Sequence, residues 1–233
     1  MKYSRCEDKL KMRIMFTQNY FGAARLTTEQ RENSFFFLYY QFVKHAFGLQ
    51  YAVRAEGETK VRIYFDKLPD TREKCAAFKG YVLGLNKSSR FRDNAIVIKE
   101  DQIAEVDSKL HVIMQSLDVV MGAMQFRLND KHLEKPEGTK VRGNRTRAKE
   151  KVYKQVNRLI RNLYDGAAFN IGISTGLHGD PRSVWTDPYR HWLFMPAELE
   201  IRPHAVRQAQ IEKPRACYLK VPSGTWAFAR RRA

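Results

Sequence analysis

The sequence predicts a mixed α/β fold, a sheet flanked by helices on both faces, and three observations carry that reading. Thr59 to Asp66 alternates Val61, Ile63 and Phe65 with Arg62 and Tyr64, the two-residue period of a strand. Lys109 to Leu128 sets Ile113, Leu117, Val120 and Met124 at helical spacing. Short apolar runs and capped helical stretches follow one another along the chain, with no internal repeat. The 233 residues suit one large domain, or one domain with an extended tail, and 43% hydrophobic content is enough for a full core.

The elements follow in order. Lys11 to Phe16 alternates, with Met12, Ile14 and Phe16 on one face, and reads as a strand. Asn19 to Arg25 is turn-like. Thr27 with Gln30 three residues on forms a capping box, opening a helix that runs to about Phe47 and stops at Gly48. Its apolar content, from Phe35 to Phe47, suggests a helix clamped between a sheet and other elements. Leu68-Pro69 ends the strand at 59–66. Asp70 with Glu73 then opens a helix to about Leu85. Ala95 to Lys99 and Gln102 to Val106 read as two short strands. After the helix at 109–128, residues 136–146 are loop-like. Ala148 to Tyr164 is a helix with Val152, Val156, Leu159, Ile160 and Leu163 on its buried side. Phe169 to Ser174 and His191 to Met195 are candidate strands. Residues 1–195 form the domain, and 196–233 an irregular basic tail.

Charge narrows the function. The chain holds 42 Lys and Arg against 25 Asp and Glu, a formal net charge of +17, which favours anionic partners and nucleic acid first. The basic residues concentrate at 135–162, where ten Lys or Arg meet only Glu137 and Glu150. Lys140, Arg142, Arg145, Arg147, Lys149, Lys151 and Lys154 are the candidate phosphate contacts. No apolar run reaches the roughly 18–20 residues of a membrane span, and the N-terminus has no apolar signal region, so a cytoplasmic protein without a membrane role is expected. Cys6, Cys75 and Cys217 are odd in number and far apart, which argues against a disulfide framework or a zinc knuckle. Gly138 to Arg145 imitates a phosphate-binding loop but has Asn144 in place of the essential Lys. The Tyr39-Tyr40 pair and Trp185 and Trp192 read as packing residues rather than base-stacking platforms. His111 reads as a solvent-facing residue at a helix start.

The candidate chemistry rests on carboxylates. Asp66 ends an apolar strand, where a carboxylate can face a cleft, or can simply form the turn into Leu68. Asp118 is the only charged residue between Val112 and Phe126. A helix this apolar is expected to be largely buried, so its carboxylate needs a metal, a donor network or an Arg. Gln115, Asp118, Gly122 and Gln125 share one row, and Gly122 leaves room for a close approach. Asp107 shares a strand face with Glu105, although Asp107 and Ser108 also suit a helix cap. Converging carboxylates suit Mg²⁺ or Mn²⁺ and the hydrolysis of phosphodiesters.

The segments Val61-Arg62-Ile63-Tyr64-Phe65-Asp66-Lys67, Glu105-Val106-Asp107-Ser108-Lys109 and Met114-Gln115-Ser116-Leu117-Asp118-Val119-Val120-Met121-Gly122-Ala123 resemble the domain-of-unknown-function family 3800, over roughly residues 10–195. That family is regarded as RNase H-like. The resemblance implies a metal-dependent nuclease in which Asp66 and Asp118 are metal ligands and Asp107 and Gln115 supporting polar residues; Asp107 is also the candidate third catalytic acid, with Glu105 and Ser108 as further supporting residues. The family's opening strand, Tyr-x-Asp-Glu-Ser-Gly, has no counterpart here. The chain is therefore expected to lack the first strand of the fold, as a truncated reading frame, an inactive relative, or a protein completed by a partner chain or by self-association. A non-catalytic nucleic-acid-binding protein that uses residues 135–162 is the alternative.

Overall fold

A computed structural model describes residues 10–52, 57–68, 71–164, 170–177 and 179–202. Cys6, Cys217, Pro69, Asp70, Phe169 and the tail from 203 onward lie outside the described residues. The elements are β1 (Met12–Phe16), β2 (Phe21–Ala23), α1 (Thr28–Glu32), α2 (Ser34–His45), β3 (Thr59–Asp66), α3 (Arg72–Gly84), α4 (Ser89–Arg92), β4 (Ile96–Val106), α5 (Val112–Leu128), α6 (Asn144–Asn162), α7 (Ser183–Thr186), β5 (Tyr189–Leu193) and β6 (Leu199–Ile201).

Local chemistry explains most boundaries. The Thr27 hydroxyl accepts from the Gln30 amide at 3.1 Å, and the Gln30 side chain accepts from the Thr27 amide at 3.0 Å, completing the expected capping box. The single helix expected over 27–47 divides at Asn33, which caps the end of α1 and the start of α2 with non-helical torsions. Gly48 ends this region at φ 62°, and a Cβ there would lie 2.8 Å from the Trp185 amide nitrogen. The described cap of α3 is Thr71, whose hydroxyl accepts from the Lys74 amide. β4 starts at Ile96 because Ala95 holds a left-handed φ of 48° and cannot extend the strand. No strand forms over 170–174, while β2 and β6 are not legible in the sequence because three-residue strands carry too little periodicity.

Among the described residues the strands form three two-stranded pairs rather than one mixed sheet. β1–β5 and β3–β4 are parallel, and β2–β6 is antiparallel. The α3–α4 crossover supplies the long connection that the parallel β3–β4 pair requires. Val61 pairs with Ile98 but Ile63 with Ile103, so Lys99 to Gln102 bulge out opposite Arg62. That excursion is why β4 reads as two strands in the sequence. The Asn86 side chain bonds both the carbonyl (2.7 Å) and the amide (2.9 Å) of Ile98, standing in for a neighbouring strand.

Two cores result. Phe36 and Val43 of α2, Phe78 and Val82 of α3 and Phe91 of α4 pack against Phe65 of β3 and Ile96, Ile98 and Ile103 of β4. The opposite side of β3 carries the exposed Lys60, Arg62, Tyr64 and Asp66, so among the described residues helices cover one face of this pair and not both. Ala123 and Met124 of α5 and Val156 and Ile160 of α6 pack around Tyr189, with Met12 and Ile14 of β1 against them. The aromatic side chains serve packing, as expected: Tyr39 lies on Phe65 and Phe78, and Trp192 on Phe194.

Candidate functional site

The carboxylates come first. Asp66 closes β3 in register with Val106 and is exposed, and its Oδ1 accepts from the Lys67 amide at 2.8 Å. Glu105 is in register with the buried Phe65 and turns toward α3. There its Oε1 takes Lys79 Nζ at 2.9 Å and its Oε2 the Leu68 amide at 3.3 Å. These two bonds, that from Lys79 the larger, hold the Glu105 carboxyl below the usual carboxylate range. Asp107 has left the strand, and its Oδ1 accepts from the Lys109 amide at 2.9 Å, starting the 3₁₀ turn at Ser108–Leu110. Gln115 donates to the carbonyls of Ser108 (3.3 Å) and Lys109 (2.6 Å), tying α5 to that turn. Asp107, Ser108 and Gln115 thus build the entry to α5.

Asp118 corrects the sequence reading. It is exposed, not buried. Among the described residues α5 joins the second core through Val120, Ala123 and Met124, while the row Gln115, Asp118, Gly122 and Gln125 is exposed. Val119 and Met121 are 57% and 50% exposed, and nothing lies within contact distance of a Cβ placed at Gly122. Apolar composition alone does not place a neighbour over every face. His111, exposed at the start of α5, makes no side-chain cap. Among the described residues no three His, Cys, Asp or Glu side chains converge on a site for a metal ion. The Asp118 carboxylate makes no hydrogen bond or ion pair among the described residues.

The basic segment is organised by α6. Arg147, Lys151, Lys154, Arg158 and Arg161 recur at alternating spacings of four and three, which lines five cations along one face. All are exposed, and the opposite side buries Val156 and Ile160. Fourteen residues of helix set the row's length at about 21 Å. Lys154, Arg158 and Arg161 border a groove of about 370 Å³ together with Asn157 and Asn162. Lys154 Nζ also meets Glu150 at 3.1 Å, and Arg158 meets the Gln155 side chain at 2.6 Å.

Other predicted contacts lie elsewhere. Arg145 and Lys149 fall on the side of α6 that carries Val156 and Ile160, beyond the end of the core. Lys140 sits exposed in the preceding loop. Arg142 is structural: its Nη1 bonds Glu150 at 2.6 Å and the His132 carbonyl at 2.9 Å. Lys154 first, and Arg142 after it, hold the Glu150 carboxyl below its ordinary range. Arg158 and Arg161 join the row as well, and the four-three spacing that runs on to them is the sequence signal for it. Val152, Leu159 and Leu163, expected on the buried side, are 44%, 54% and 47% exposed, because the core reaches only one edge of the apolar stripe.

No helix among the described residues is long and apolar enough to cross a membrane. No protein-family model, curated protein or solved structure matches the chain.

Proposed function

We propose that this protein binds nucleic acid through one face of α6. The row from Arg147 to Arg161 carries the reading. A row of about 21 Å carrying five cations is long enough to run beside several consecutive phosphates of a nucleic-acid backbone. The cations stand opposite the buried face, so the helix can lie against a backbone without disturbing its packing. The Asn157 and Asn162 amides beside the groove add uncharged donors to phosphate or sugar oxygens. Fluorescence anisotropy with a labelled duplex across a salt series tests this. Five engaged phosphates give a slope of about −4.5 for log affinity against log salt. Arg147→Gln with Lys151→Gln and Arg158→Gln should flatten the slope by about three contacts' worth. Binding indifferent to salt, or a slope untouched by that triple change, refutes the reading.

A second reading, a nuclease of RNase H-like type that uses Mg²⁺ or Mn²⁺, rests on the resemblance to family 3800. One observation favours it: in a chain of net charge +17, Asp118 stays exposed without a bonded cation among the described residues, and Asp66 stands at the carboxyl end of a parallel strand. The residues described do not converge into a closed metal site. Mg²⁺ sites commonly take only one or two carboxylates, with water and substrate phosphate filling the shell. Under this reading Mn²⁺ raises the melting temperature of the wild-type chain and supports cleavage, and Asp66→Asn with Asp118→Asn abolishes both. A shift unchanged in the double variant removes these two residues from the metal site.

A further inference from the structure

A second basic site lies away from α6. At the carboxyl ends of the parallel strands β3 and β4, beside the first turns of α3, the surface dips into a cleft of about 420 Å³. Lys67, Arg72 and Lys79 surround it, Glu105 stands at its wall, and Leu68 and the buried Cys75 form its apolar floor. Three cations face one carboxylate. Both oxygens of that carboxylate are engaged, Oε1 by Lys79 and Oε2 by the Leu68 amide. Among the described residues no salt bridge joins the Lys67 ammonium or the Arg72 guanidinium to a carboxylate, although Lys67 lies near enough to Glu105 to help lower its pKa. The described lining therefore carries a surplus of about two positive charges, set over an apolar floor and near the positive end of the 13-residue α3.

We infer that this cleft binds a phosphate monoester, the terminal phosphate of a nucleic-acid strand or that of a free nucleotide. A monoester carries about −1.5 to −2 charges at neutral pH, which matches the surplus, whereas an internal diester carries one. Arg72 supplies a fork of paired donors suited to two phosphate oxygens, and Lys67 a mobile point charge. The carboxyl end of parallel strands is where ligands commonly enter open α/β structures. The cleft stands on its own residues, and only the choice of a strand end as one source draws on the α6 reading.

Glu105 makes the inference sharp. It competes with the ligand for Lys79, so Glu105→Gln keeps an acceptor for the Leu68 amide, frees Lys79 and tightens phosphate binding. The full chain is titrated by calorimetry with inorganic phosphate and with AMP, and by anisotropy with a 12-nucleotide strand bearing either a 5′-phosphate or a 5′-hydroxyl. AMP and inorganic phosphate are expected to bind, and Lys67→Gln with Arg72→Gln to weaken them about tenfold or more. If the source is a strand, the 5′-phosphate adds an increment of affinity that this double variant removes, while the α6 variants weaken both strands alike. If it is a free nucleotide, AMP binds and the two strands do not differ. The inference is overturned if none of the phosphate probes binds, if the double variant binds them as well as wild type, or if Glu105→Gln weakens them. Melting curves for each variant separate lost binding from lost fold.

Discussion

Arg190 and Arg13 are paired across β5 and β1 and both are buried. Arg13 meets the Val184 carbonyl through Nη2 at 2.7 Å, and Arg190 meets the Thr175 carbonyl at 2.8 Å and Asp187 at 2.7 Å. Burial first, then the neighbouring Arg190, lowers the Arg13 pKa to about 10. Asp187 is the carboxylate bonded to Arg190, and its charge also acts on the nearby Arg13, so Asp187→Asn leaves buried positive charge with less to balance it. Removing one partner of a buried ion pair typically costs about 3–5 kcal/mol, and the slight exposure of Asp187 places the expected loss near about 3. Urea unfolding of the variant measures it, and a loss below about 1 kcal/mol would show that the backbone carbonyls alone satisfy both arginines. None of this is legible from the sequence, where Arg13 looks like a surface residue on an alternating strand.

An element such as α6 acts as a whole because its period sorts charge from apolar surface. Residues spaced by four and three share a face at any point along the helix. Arg145 and Lys149 belong to a different face from the row of five cations. Arg145→Gln with Lys149→Gln should therefore weaken duplex binding much less than Arg147→Gln with Arg158→Gln, although both pairs remove two charges. Equal losses in the anisotropy assay would mean that α6 acts through net charge rather than through one face. α5 shows the other side of the same principle. Its spacing points Val120 and Met124 inward, but Ile113 of the same row is 61% exposed, and the expected burial of Asp118 rests on apolar content, which says nothing about what packs on the remaining faces.

For the molecule as a whole, acid is the expected weakness. His45, His132 and His191 all have lowered pKa values, in each case chiefly because burial penalises the charged ring. His45 is lowered from 6.5 to about 4, with Arg90 and Lys44 adding to the effect, and Arg90 Nη1 lies 3.0 Å from its Nδ1. The ring must keep a lone pair there to accept from the guanidinium. A group whose folded pKa is depressed binds a proton more readily when unfolded. Stability is thus complete above about pH 6.5 and falls as pH drops toward 4, before most carboxylates titrate. The melting temperature should decline between pH 7 and pH 5, and His45→Gln should make that decline shallower. A flat profile over this range would show that the imidazoles protonate without opening the cores.

What the sequence determined by itself is local. The Thr27–Gln30 capping box, the alternation of β3, the helical period of α5 and the charge spacing of α6 all depend on residues within a few positions of one another. Their outcomes follow from backbone geometry that any surroundings share. The tertiary structure decided matters of distance. Glu105 meets Lys79 because parallel pairing brings β4 alongside β3 under α3, which also gathers Lys67 and Arg72 around one cleft. Arg142 turns inward because Glu150 and the His132 carbonyl are waiting for it. Asp118 faces outward because the second core reaches only one side of α5. Burial and ion pairing depend on which element lies opposite, and that partner is set by the packing of the whole chain rather than by any short window of it.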